Sequence, residues 1–127
     1  MERIRLLLVD DEEEFVNLFV KRFNMRNLDA FGVTSGRAAL GYLAEHPVDV
    51  VVLDVKMPGM DGLAALGEIK KRFPTVEVIM LTGHGSLKSG VEGMSLGAFD
   101  YVLKPFRIDD LLDRIRKAAE RKRLMGE

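Results

Sequence analysis

Four short apolar runs in this chain each end in a polar residue suited to chemistry. Ile4 to Val9 runs into Asp10 and Asp11, Val48 to Leu53 into Asp54, and Val76 to Leu81 into Thr82. Tyr101 to Leu103 runs into Lys104 and Pro105. Runs of this length, rich in Val, Ile and Leu, mark strands buried on both faces of a parallel sheet. Such sheets bind ligands beyond the carboxyl ends of their strands. The acids, the threonine and the lysine are therefore expected on one rim.

Strand-like and helix-like segments alternate five times. Strands are expected at 4–9, 28–33, 48–53, 76–81 and 100–103, and helices at 12–25, 36–44, 62–73, 87–96 and 108 to about 124. Phe15, Leu18, Phe19 and Phe23 mark the inner face of the first helix, and Leu111, Leu112, Ile115 and Ala119 that of the last. Asp61 and Ser86 stand where helix N-caps belong. All four prolines fall between elements. The alternation predicts a doubly wound α/β fold.

The chain has 127 residues, enough for one domain with one core, with about residues 3–122 folded. A composition of 47% hydrophobic and 31% charged residues suits a globular protein. With no cysteine, thiol and zinc-thiolate chemistry are excluded. The net charge of -1 argues against nucleic-acid binding through the whole surface. No apolar stretch is long enough to span a membrane, and the early acids Asp10 to Glu14 do not suit a secretory signal. A cytoplasmic location is expected. A standalone protein and a domain trimmed from a longer one look alike here.

Three carboxylates on one rim repel one another, and a hard divalent cation relieves this. Mg2+ takes roughly six oxygen ligands, commonly one or two carboxylates with waters and phosphate oxygens. Asp11 and Glu14 also have the spacing of a capping box, which would make Asp11 a helix start and leave Asp10 and Asp54 unexplained. Lys104 opposes the acids as a compact charge suited to a phosphoryl oxygen, and the bond to Pro105 allows a cis peptide. Thr82 can donate one hydrogen bond, and Gly83, His84 and Gly85 after it suit a close backbone approach to a ligand.

The segments LLLVDDEEEF, VVLDVKMPGMDG, VIMLTGHGS and GAFDYVLKPF together resemble the receiver domain of two-component response regulators, in that family's order and spacing. The GHGS and GAFDY forms look most like receivers of nitrogen-regulator-type transcription activators. The resemblance spans the whole chain, 1–127, and implies a flavodoxin-like sheet of order 2-1-3-4-5 with helices on both faces.

It also implies roles. Asp54 would be the phosphoacceptor. Asp10 and Asp11 would hold Mg2+, with Asp54 and the backbone carbonyl of Lys56 as further ligands and Mn2+ able to substitute. Thr82 and Lys104 would bind phosphoryl oxygens, Tyr101 would be an aromatic switch responding to Thr82, and Lys56 and His84 would tune dephosphorylation. The donor would be a sensor histidine kinase or phosphotransfer protein. The output would be a domain or protein bound through the fourth helix, fifth strand and fifth helix, near Lys88 and Arg107. The domain would contact neither membrane nor nucleic acid, and a homodimer stays open. Phe99, where dimerising receivers carry a second acid, counts against one dimer mode. The chain would be no conventional enzyme, although it would catalyse its own phosphotransfer and autodephosphorylation.

Gly90 and Gly93 within the fourth helix point either to close packing or to a marginal helix poised to shift, and the second is expected. Arg114, Arg116, Lys117, Arg121, Lys122 and Arg123 are expected on a solvated face. A degenerate receiver that only binds partners is the strongest alternative, against the intact Asp54, Thr82 and Lys104. An aspartate-nucleophile phosphatase would need an acid where Lys56 stands. A flavin module would need a hydroxyl-rich loop where Asp10 to Glu14 stand.

Overall fold

The computed structural model describes residues 2–57, 59–83 and 87–125. Ten elements alternate along the chain: β1 (Arg5–Val9), α1 (Glu13–Asn24), β2 (Asp29–Val33), α2 (Gly36–Glu45), β3 (Val50–Asp54), α3 (Gly62–Arg72), β4 (Glu77–Thr82), α4 (Leu87–Ser95), β5 (Asp100–Leu103) and α5 (Ile108–Met125). The strands form one parallel sheet of order β2-β1-β3-β4-β5, as expected from the sequence. Leu7 and Val9 pair with Val51 and Leu53, so the two acid-tipped strands lie side by side.

The pleat explains why the strand sequences are continuous rather than alternating. Leu7, Val9, Val51, Leu53, Val78 and Met80 face a core shared with α2 and α3. Leu6, Leu8, Val50, Val52, Ile79 and Leu81 face a second core filled by Phe23 of α1 and Leu111 and Ile115 of α5. With helices on both faces, every position of β3 and β4 is buried, including their polar tips.

Several element ends differ from expectation, each for a local reason. β3 begins at Val50 because Asp49 turns its carboxylate to Arg5, accepting from the Arg5 backbone N–H at 2.8 Å and from Nη2 at 2.9 Å. β4 reaches Thr82 because its carbonyl accepts the Lys104 N–H at 2.8 Å. On α5 it is Ala118, not Ala119, that is fully buried, and on α1 Leu18 is exposed while Val16 is buried. Leu111, Leu112, Ile115 and Phe23 are buried as expected, and Phe15, Phe19 and Ala119 pack partly buried against the same core.

The two α4 glycines pack closely on the sheet, the first of the two roles the sequence left for them. A Cβ on Gly90 would lie 2.9 Å from the Tyr101 ring, and one on Gly93 would overlap the Met80 side chain. Their lack of a side chain lets α4 approach β4 and β5. α4 closes at Gly97, which has φ +103°, with the Ala98 N–H on the Gly93 carbonyl and the Gly97 N–H on the Met94 carbonyl.

The basic residues of α5 are also more engaged than expected. Arg121 reaches Glu77 at 3.2 Å, Lys122 reaches Asp49 at 3.3 Å, and Arg114 reaches Asp100 at 3.4 Å and the Tyr101 carbonyl at 3.1 Å. This face ties the helix to the sheet rather than facing solvent alone.

Candidate functional site

The rim at the carboxyl ends of β1, β3, β4 and β5 collects the residues singled out from sequence. Asp10 follows β1 and is fully buried, with its N–H on the Val33 carbonyl at 3.3 Å. Its Oδ1 accepts the Glu12 N–H at 2.9 Å. That bond sets the start of α1, whose N-cap residue Glu12 makes no side-chain cap bond. Asp11 is exposed and does not cap the helix, so the capping-box alternative is not realised. Asp54 ends β3, nearly buried and in register with Leu81. Carboxylate oxygens of Asp10, Asp11 and Asp54 all lie within 4.8 Å of one another.

Lys104 enters from the end of β5, after which the bond to Pro105 is cis. Its Nζ is 3.3 Å from Asp54 Oδ1 and 3.4 Å from Asp10 Oδ2. Burial, and next the adjacent Asp10 charge, raise the Asp54 carboxyl above its ordinary pKa, and Lys104 opposes this without cancelling it. Burial works against the Lys104 charge, but Asp54 and Asp10 outweigh it and the ammonium pKa is raised. One lysine thus serves three acids, and negative charge is left over. The donors are all oxygens, one carboxylate from each of Asp10, Asp11 and Asp54, a set that suits a hard divalent cation such as Mg2+.

Thr82 supplies the other unfinished element. Its side chain is fully buried, yet among the described residues Oγ1 has no hydrogen-bond partner. A buried hydroxyl without a partner costs about 1–3 kcal/mol, so such groups generally have a use.

Tyr101 and Lys56 are the remaining predicted residues among those described. Tyr101, in register with Met80, has a half-buried ring beside Gly90 that packs on the α2–α3 core. Lys56 is exposed in the loop after β3. His84 lies outside the described residues, as do Pro58 and the expected cap Ser86; so does the side chain of Lys88.

Two contributors were missed from sequence. Gly62 opens α3 with its N–H on the Val55 carbonyl at 2.8 Å, and a Cβ there would overlap the Asp54 carbonyl and Val55 Cα. Only a residue without a side chain lets the loop return so close behind Asp54; the Asp-Gly pair at 61–62 was the available signal. Asp61 caps the helix as expected, accepting the Ala64 N–H at 2.8 Å. The second is Phe15, whose ring centroid is 5.1 Å from Lys104 Nζ. The sequence placed this residue only in the core.

Fold and rim together define a receiver. The model of the response regulator receiver domain family matches residues 6–116, and the chain belongs to that family. Among curated proteins it is similar to a putative NtrX-like response regulator of Rickettsia bellii, 38% identical over all of this chain but only 27% of that protein. It is similar also to the DNA-binding transcriptional regulator NtrC of Salmonella typhimurium, 36% identical over 93% of this chain and 25% of the regulator. The chain therefore spans about a quarter of the length of these relatives. Among solved structures, a receiver domain protein from Clostridium thermocellum superposes with a TM-score of 0.91 at 34% identity, covering 96% of this chain and 98% of that one. The receiver domain of NtrX from Brucella abortus gives 0.86 at 32% identity, covering 91% and 98%. The chain is thus a receiver domain of two-component signalling, with relatives of the nitrogen-regulator type.

Proposed function

We propose that this receiver takes a phosphoryl group from a phosphohistidine onto Asp54 in a Mg2+-dependent reaction, and thereby switches the α4-β5-α5 face. The observation that carries the reading is the position of Asp54: nearly buried at the tip of a central strand, crowded by Asp10 and 3.3 Å from Lys104. An Asp54 carboxylate oxygen attacks phosphorus in line, the P–N bond breaks, and its electron pair leaves with the donor imidazole. The transition state spreads charge over the equatorial oxygens, so positioning and neutralisation do most of the work. Lys104 neutralises from one side, and the Thr82 hydroxyl, which has no partner among the described residues, donates a hydrogen bond. Asp10, Asp11, Asp54 and the Lys56 backbone carbonyl would hold Mg2+, which would supply further neutralisation, and Mn2+ would serve in its place. Hydrolysis of the acyl phosphate restores Asp54 and releases phosphate, with Lys56 and His84, two residues after Asp54 and Thr82 in sequence, tuning its rate.

The signal leaves through β4 and β5. The Thr82 carbonyl accepts the Lys104 N–H at 2.8 Å, so a shift of one strand tip moves the other. Tyr101 sits three residues before Lys104 on β5 and packs against Gly90 of α4, where it can follow that shift. Val91, Met94 and Leu96 on or just after α4 and Leu103 on β5 are exposed apolar residues, which suits an output partner or a second copy. The similarity to NtrC supports a transcriptional output carried by another domain, with no nucleic-acid contact from this one. Among the described residues, no helix is long and apolar enough to cross a membrane. The proposed setting is the cytoplasm, the partner a sensor histidine kinase or phosphotransfer protein, and the only catalysis the chain's own phosphorylation and dephosphorylation.

The test is phosphate transfer from phosphohistidine donors with and without Mg2+. The wild type should gain one acid-stable, base-labile phosphoryl group with Mg2+, and Asp54→Asn none. Failure of the wild type to bind beryllofluoride with Mg2+ would favour a degenerate interaction module.

A further inference from the structure

We propose that Phe15 is a positioning residue for Lys104, holding its ammonium over the site through the ring face while the lysine exchanges its carboxylate partners. The inference rests on the phosphoacceptor reading above and adds a residue to it.

Lys104 is not held firmly by its acids. Its contacts to Asp10 and Asp54 are 3.4 and 3.3 Å, long beside the roughly 2.7–2.9 Å of a good charge-assisted bond. Both contacts are also spoken for by the reaction. Phosphorylation turns the Asp54 carboxylate into a neutral acyl group, and Asp10 is shared with the divalent ion. A lysine has a flexible four-carbon stem and loses substantial rotamer freedom when fixed. With only those two partners it would be released when it is needed on the phosphoryl group.

The Phe15 ring is the contact that neither event removes. Its centroid lies 5.1 Å from Nζ, within the range of a cation–π interaction. The ring is itself fixed from two sides. Phe19, one helical turn on, packs against it with centroids 4.6 Å apart. Phe106, two residues after Lys104, meets it edge-on at 6.3 Å and 84°, and lies 5.4 Å from Phe19. The three rings therefore tie the first turns of α1 to the segment that carries the lysine. A cluster built only to fill the core would have no reason to turn an aromatic face toward an ammonium. Phe15 is half-buried, and Lys104 keeps partial access to solvent.

The experiment uses this chain with Phe15→Leu, which keeps an apolar side chain but removes the ring, and Phe15→Tyr, which keeps the ring. The first readout is proton NMR of the Lys104 Cε and Cδ methylenes in the protein without metal. They should be shifted upfield by the ring in the wild type and Phe15→Tyr, and return to ordinary lysine values in Phe15→Leu. The second is beryllofluoride affinity at saturating Mg2+. Phe15→Leu should bind about two- to fivefold more weakly, the span of a partly exposed cation–π contact, and Phe15→Tyr should recover wild-type affinity. Amide spectra establish that each variant is folded.

Ordinary methylene shifts in the wild type would overturn the proposal. So would wild-type affinity in Phe15→Leu, or equal loss in both variants, which a purely packing role would give. A wild type that binds no beryllofluoride would instead overturn the phosphoacceptor reading, and the methylene shifts would still decide whether Phe15 holds the lysine.

Discussion

An aspartate stands at each end of β3, Asp49 just before it and Asp54 as its last residue, and the two have opposite circumstances. At the amino end, Asp49 is held by Arg5 at 2.9 Å and Lys122 at 3.3 Å. Its neighbour Glu77, at the start of β4, lies between Lys70 at 3.7 Å and Arg121 at 3.2 Å. At the carboxyl end, Asp54 shares one lysine with Asp10 and sits against Asp11. Burial works to raise the Asp49 pKa, but the Arg5 hydrogen bonds outweigh it and the net shift is down. Burial and Asp10 push Asp54 up. One rim is matched in charge and helps the fold, while the other is left short of cations and therefore has capacity for a ligand.

Substitution at each end should separate the two roles. Asp49→Asn should have the largest effect on stability, a loss of about 1–3 kcal/mol at neutral pH from the hydrogen bonds to Arg5. Because the folded pKa of Asp49 is depressed, its contribution is present above the unfolded value of 3.8 and lost as pH falls through the folded value. Urea unfolding of wild type and variant should therefore converge at low pH, and a gap that persists there would break the comparison. Asp54→Asn should have the opposite sign and a smaller size, a gain of up to about 1 kcal/mol in metal-free protein, as relief of an uncompensated charge. The raised pKa means this gain is present above the folded value and vanishes as pH falls toward 3.8. A lower unfolding temperature for metal-free Asp54→Asn would contradict the assignment of strain to that rim.

Lys56→Ala should be smallest in stability, within about 0.5 kcal/mol, since the side chain is exposed. Its expected effect is on the lifetime of the phosphorylated form, with Mg2+ affinity nearly unchanged because the proposed ligand is a backbone carbonyl. Equal lifetimes, followed by loss of the phosphoryl group, would remove Lys56 from the tuning role.

The sheet and the functional rim were legible because both are written in contiguous residues: an apolar run fixes a strand, and the next residue falls on its carboxyl edge. The amino rim was not legible. Arg5 meets Asp49, and Arg121 meets Glu77, only after the sheet register has formed, and neither pair has a local sequence signature. The α4 glycines were ambiguous in the sequence because a marginal helix and a tightly packed one both call for a missing side chain, and the close packing is visible only in the positions of Met80 and Tyr101. Phe15 was legible as apolar but not as a neighbour of Lys104, since strand order alone does not fix which way a ring turns.

Gly62 has a consequence for how relatives of this chain can diverge. With no room behind Asp54 for even a methyl group, the main chain of the proposed acceptor has a roof that substitution at position 62 cannot adjust. On the phosphoacceptor reading, outward-facing side chains such as Lys56 are where reaction speed can vary without shifting that main chain. The timing of the signal can then drift between lineages while the geometry of the bond-forming atom stays put.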